Sequence, residues 1–120
     1  MILEHAQQEQ SSDRLAGELR KGLIPLAVLA ALRSPAYGYS LQQFMVTKGF
    51  PVDQGTLYPL LRRLDEQGLL QSDWNTDEAR PRKYYRLSVA GANVLEKLEA
   101  HWGELVQVMS GLLRKEGVAK

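Results

Sequence analysis

Leucines stand four residues apart at Leu15 and Leu19, and the run from Leu23 to Leu32 is apolar on every face. An apolar run without a polar side predicts a buried helix. Pro25 fits only near a helix start, so the pattern places that start at Gly22 to Ile24. Ser34-Pro35 ends the helix, because the residue before a proline resists helical geometry. Residues 1–13 are Gln-rich and weakly patterned, and read as a frayed tail or a marginal helix. Tyr37-Gly38-Tyr39 reads as a turn, and a second helix follows from Tyr39 or Ser40 to about Lys48. Asp53 is placed to cap a third helix through Gln67, with Gly68 just past its end. Leu57, Leu60, Leu61 and Leu64 share one face of it; Thr56, Tyr58, Pro59, Arg62 and Arg63 lie mostly on the other. Leu69 to Trp74 and Lys83 to Leu87 then read as two short strands joined by a polar loop. Ser88 is placed to cap a long last helix.

The order helix, helix, helix, strand, strand, helix describes a mainly α fold with a small β-hairpin (α+β). It is the layout of a winged helix-turn-helix followed by a long C-terminal dimerisation helix. The divisions expected are a tail or extra helix over 1–18, the winged domain over 19–87 and the C-terminal helix over 88–120. At 120 residues and 44% hydrophobic, the chain fills one core and not two. With no cysteine there is no disulfide scaffold, thiolate zinc site or cysteine nucleophile. His5 and His101 are too far apart in sequence to suggest a metal cluster, so neither a metal nor a cofactor is expected. No apolar run is long enough to span a bilayer, and Met1-Ile2-Leu3 runs straight into Glu4 without a charged-then-apolar leader. A cytoplasmic protein without a membrane partner is expected. Glycine phosphate loops, HExxH and GxSxG motifs are missing. The adjacent pairs Asp65-Glu66 and Asp77-Glu78 do not face one another as an acid/base couple would. Catalysis is not expected.

Net charge is +1, which hides an uneven distribution. Residues 1–13 carry Glu4, Glu9 and Asp13 and no cation, whereas residues 14–54 carry five cations against Glu18 and Asp53. A local basic patch is enough for nucleic-acid binding, although bulk charge is not. The third helix is a rod thin enough for the DNA major groove, with Thr56, Tyr58, Arg62 and Arg63 on its outer side. Alone it reads more readily as a solvated face with two ordinary arginines. The hairpin shifts that balance, because Arg80, Arg82 and Lys83 set three cations around Pro81 at a loop tip. Cations on a protruding ribbon match a phosphate backbone or a narrow minor groove. The two features together favour double-stranded DNA as a partner.

The last helix has the most regular pattern in the chain. Leu95, Leu98, Trp102, Leu105, Met109 and Leu112 alternate three and four residues apart, a heptad seam. A helix packed on its own domain is the plain alternative. Val94, Val106, Val108 and Leu113 widen the apolar surface beyond what one small domain covers, which favours a homodimer. Two-fold symmetry then predicts a palindromic DNA site. Trp102 reads first as packing and second as a wall for a flat aromatic effector between protomers. Trp74 reads as packing under the hairpin, and His101 as a surface histidine. A protein-interaction module without specific DNA binding is the alternative from another class, motivated by the near-zero charge and the exposed apolar helix.

Two runs in order are specific: Gly55-Thr56-Leu57-Tyr58-Pro59-Leu60-Leu61-Arg62-Arg63-Leu64 and Pro81-Arg82-Lys83-Tyr84-Tyr85-Arg86-Leu87-Ser88. With Leu26 to Leu32, Tyr37-Gly38-Tyr39 and Glu66-Gln67-Gly68-Leu69-Leu70, they resemble the PadR family of bacterial transcriptional regulators over roughly Leu19 to Leu113. The resemblance implies a homodimer that binds palindromic promoter DNA, usually as a repressor. In some members phenolic acids or hydrophobic drugs relieve repression. By position, Gln54, Thr56, Tyr58, Pro59, Arg62 and Arg63 fall on the recognition helix, and Arg80, Arg82 and Lys83 on the wing. Tyr39 and Ser40 open the second helix, where phosphate contacts are implied. Ala79 stands where the family often has glycine before Arg-Pro-Arg, which leaves the path of the wing open. The short C-terminal region leaves little room for a ligand domain, so a small aromatic or hydrophobic effector would sit at the dimer interface near Trp102.

Overall fold

A computed structural model describes residues 1–77, 79–115 and 117–119. The elements are α1 (Ile2–Ala31), β1 (Ala36–Tyr37), α2 (Gly38–Thr47), α3 (Gln54–Glu66), β2 (Leu70–Asn75), β3 (Arg82–Leu87) and α4 (Val89–Leu112). The α3 leucines all turn inward, as their spacing predicts. Leu57, Leu60, Leu61 and Leu64 meet Val28 and Leu29 of α1, Leu32 just past its end, and Leu41 and Met45 of α2 in one buried cluster. Both ends of α3 follow local chemistry. The Asp53 carboxylate accepts the Thr56 N–H at 2.8 Å, and Gly68 takes φ +77° to turn the chain into β2.

Two expectations about the first 40 residues fail, and each has a physical reason. First, α1 does not start at Gly22 to Ile24; it runs unbroken through Pro25 from Ile2. Proline removes the N–H that would bond the Lys21 carbonyl, but Lys21 and Gly22 are exposed, so water can satisfy that carbonyl. Pro59 survives inside α3 in the same way, because its orphaned partner would be Gly55, also exposed. Second, the expected turn at Tyr37 is partly a strand. Ala36 and Tyr37 pair antiparallel with Tyr85 and Tyr84, giving a three-stranded sheet in the order β1-β3-β2. Two residues are too few to show an alternating pattern.

The hairpin pairs Leu70 with Leu87 at its base and Asn75 with Arg82 at its outer end. Leu70, Ser72 and Trp74 share a face, yet burial fades along it, and Trp74 is 63% exposed. The expected packing of Trp74 therefore fails, because the hairpin projects past the edge of the core. Ser88 caps α4 as expected, its Oγ accepting the Gly91 N–H at 2.9 Å and donating to the Gly68 carbonyl at 2.6 Å. A Cβ on Gly91 would overlap the Leu69 carbonyl oxygen, so glycine alone lets α4 start this close to the α3–β2 turn. Leu95 is buried and Leu98 half-buried, but every described residue of α4 from Glu99 onward is exposed. The first 15 residues of α1 are exposed too, and the chain reaches 63 Å along its longest axis.

Candidate nucleic-acid interface

Helical geometry sorts the solvent side of α3 into three rows. At 100° per residue, Gly55, Pro59, Arg62 and Glu66 point directly away from the buried leucines. Gln54, Tyr58 and Asp65 form the flank toward the wing, and Thr56 and Arg63 the flank toward α1. Gln54, Thr56, Pro59, Arg62 and Arg63 are all exposed, while Tyr58 is half-buried. The Tyr58 ring lies over Gly38 so closely that a Cβ there would overlap it. That contact seats the start of α2 against α3.

Tyr39 and Ser40 occupy the first turn of α2, both exposed, and Ser40 Oγ donates to the Tyr37 carbonyl at 3.0 Å. A groove of about 470 Å³ runs from here to the wing and brings Tyr39, Tyr58, Arg80, Arg82 and Lys83 together. Tyr37, expected from sequence only as part of a turn, also lines this groove. Its hydroxyl accepts from Asn75 Nδ2 at 2.7 Å, its ring meets Tyr84 edge-on at 4.9 Å, and Arg82 Cζ stands 5.4 Å from its centre.

The three wing cations are not equivalent. Arg80 is exposed in the loop and Arg82 is exposed at the start of β3. Lys83 is not at the tip; it sits on the strand, half-buried, with Nζ 3.8 Å from Asp65 Oδ2 and 5.7 Å from the centre of the Tyr85 ring. Asp65 also accepts from Ser72 Oγ at 2.7 Å, so one carboxylate of α3 touches both wing strands, β2 and β3. Among the described residues, Arg62, Arg63 and Arg80 have no ion-pair partner, whereas Arg33, Lys83 and Arg86 each have one. Burial pushes the Tyr85 phenol up, with the negative charge of Asp65 adding to it, so Tyr85 stays neutral. The Thr56 side chain and then its N–H hold the Asp53 carboxyl below the usual carboxylate value.

Along the seam of α4, Leu95 and Leu98 pack on the domain, while Trp102, Leu105, Met109 and Leu112 are 43%, 55%, 46% and 69% exposed. His101 is on the surface, with Nδ1 3.9 Å from Glu104. Among the described residues, no helix is long and apolar enough to cross a membrane.

This arrangement has known counterparts. A model of the transcriptional regulator PadR-like family matches residues 26–112. A transcriptional regulator of Mycobacterium tuberculosis, Rv3488, is 33% identical over 95 residues, covering 78% of this chain and 89% of its own. A crystal structure of a PadR family transcriptional regulator from Eggerthella lenta superposes with a TM-score of 0.87 at 40% identity, covering 92% of this chain and 99% of the other. A PadR-like transcriptional regulator from Bacillus cereus gives a TM-score of 0.73 at 28% identity, covering 82% and 99%.

Proposed function

The chain belongs to the PadR-like family of transcriptional regulators, and from that premise we propose that it is a cytoplasmic homodimer that represses transcription from a palindromic promoter site. The observation that carries the DNA reading is the exposed outer side of α3, where Arg62 and Arg63, with Arg80 of the wing beside them, have no ion-pair partner among the described residues. In this reading α3 enters the major groove and Arg62 reaches base edges. Arg80 and Arg82 of the wing, with Tyr39 and Ser40 of α2, hold phosphates. The exposed apolar end of α4 supports the dimer, since a patch this continuous is costly to leave in water. Trp102 on that seam is the place for a small aromatic or hydrophobic effector to stack. Nothing in the site calls for catalysis.

A gel shift tests the reading directly. DNA from immediately upstream of the protein's own gene and a scrambled duplex are compared at two salt concentrations. Specific, salt-sensitive binding with two chains per site supports the regulator. The protein-interaction module predicts instead no DNA complex that survives physiological salt. The effector is tested on the Trp74→Phe variant, whose remaining tryptophan is Trp102; planar aromatics should quench its emission, and silence across a broad panel leaves Trp102 as packing.

A further inference from the structure

The wing lies on one flank of α3 only. On the other flank, between α1 and α3, runs a second groove of about 420 Å³. Lys21 of α1 and Thr56 and Arg63 of α3 line it, over an apolar floor that includes Ile24 and Leu60. Lys21 and Arg63 are exposed, and neither has an ion-pair partner among the described residues. Arg20 adds a neighbouring cation, its guanidinium carbon 5.7 Å from the centre of the Phe50 ring in the α2–α3 connection. Among the described residues, Asp53 is the one carboxylate lining the groove, and it is already engaged as the cap of α3. Its charge is opposed there by the positive end of the helix dipole.

The major groove of B-DNA is about 12 Å wide and is walled by two phosphate strands. A helix lying in it with Gly55, Pro59 and Arg62 toward the bases turns its two flanks toward different strands. The wing flank offers Tyr39, Arg80 and Arg82. The α1 flank offers Lys21 and Arg63. We infer that the groove between α1 and α3 is a second seat for the DNA backbone, in which Lys21 and Arg63 hold the strand opposite the one held by the wing. The inference rests on the DNA-binding reading above. It assigns Thr56 and Arg63 to backbone contact and leaves Arg62 as the outward-facing cation of α3.

The test uses the full chain and fluorescence anisotropy on a labelled duplex of random sequence and on the upstream DNA, across a range of salt concentrations. Lys21→Met keeps most of the stem and removes the charge at an exposed position. It should lower the log–log salt slope by about one for each protomer bound, and Lys21→Met with Arg63→Met by about two. Both DNAs should weaken by the same factor. Arg14→Met, an exposed cation two turns earlier on α1 and outside the groove, should leave the slope unchanged. Wild-type binding with an unaltered Lys21→Met slope, or a loss confined to one DNA, overturns the second seat and leaves the regulator reading standing. Absence of any salt-sensitive binding by the wild type overturns both.

Discussion

Replacing Leu105 with aspartate should separate the dimer without unfolding the domain. Leu105 is 55% exposed and lies beyond Leu95 and Leu98, the last α4 side chains of the seam that pack on the core. Removing it therefore costs the single chain little. In a two-fold dimer each substitution acts twice. Full burial of a leucine stabilises by about 1.5–3 kcal/mol, and Leu105 has roughly half its surface left to cover, so the loss is about 1 kcal/mol per copy. Two carboxylates brought into an apolar seam without partners add at least about 1–3 kcal/mol each. The total is at least about 4 kcal/mol, or roughly a thousandfold in the dimer dissociation constant. Sedimentation equilibrium over a wide concentration range reads this as a shift from two-chain to one-chain mass, with circular dichroism confirming that the helices persist. A Leu105→Asp chain that keeps the wild-type mass profile would show that the α4 end is not the interface. A wild type that is monomeric throughout would remove the homodimer itself.

The remaining predictions concern the fold and the division of labour at the interface. Gly91→Ala drives a methyl into the Leu69 carbonyl and should lower stability by about 1–3 kcal/mol, read as an earlier urea midpoint; an unchanged midpoint would mean that α4 can shift freely. Asp53 has a folded pKa below its usual 3.8, so its contribution is present above that value and is lost as pH falls through the lower folded one. Urea midpoints taken from neutral pH downward should show this acid-side loss, and Asp53→Asn should flatten it. Arg62→Ala should change sequence preference by about 1–3 kcal/mol, whereas Arg80→Ala should weaken all DNA alike; equal losses on operator and random duplex for Arg62→Ala would make it a backbone contact.

What could be read from the sequence was local. The cap at Asp53, four inward leucines and Gly68 all act within a few residues of α3, so that helix was legible nearly end to end. Pro25 was misleading because the rule against internal proline assumes that the orphaned carbonyl has no other partner, and at Lys21 it meets water. Strand β1 was illegible because its two residues are ordered by β3, far along the chain. Trp74 and Lys83 were misplaced for a related reason. Where the hairpin outruns the core, and which cation meets Asp65, depend on the packing of separate elements and not on spacing along the chain. The groove between α1 and α3 was hidden in the same way, since Lys21 and Arg63, which line it, belong to helices brought together only by the core.

A chain with net charge +1 can still bind DNA if its cations near the site are left without internal partners. Here the acidic residues Glu4, Glu9 and Asp13 lie on the exposed first half of α1, far along the chain from α3. Around α3, by contrast, Lys21, Arg62, Arg63 and Arg80 have no ion pair among the described residues. At physiological salt, charges interact over about 8 Å, so in the proposed complex the local set would act on a phosphate strand while carboxylates farther off than that would be screened from it. The same screening limits attraction to poses in which both flanks of α3 meet a strand. Under the proposed function, weak bulk attraction keeps the protein from coating DNA and the oriented phosphate contacts fix the pose of α3, which leaves discrimination among sites to base contacts such as that of Arg62.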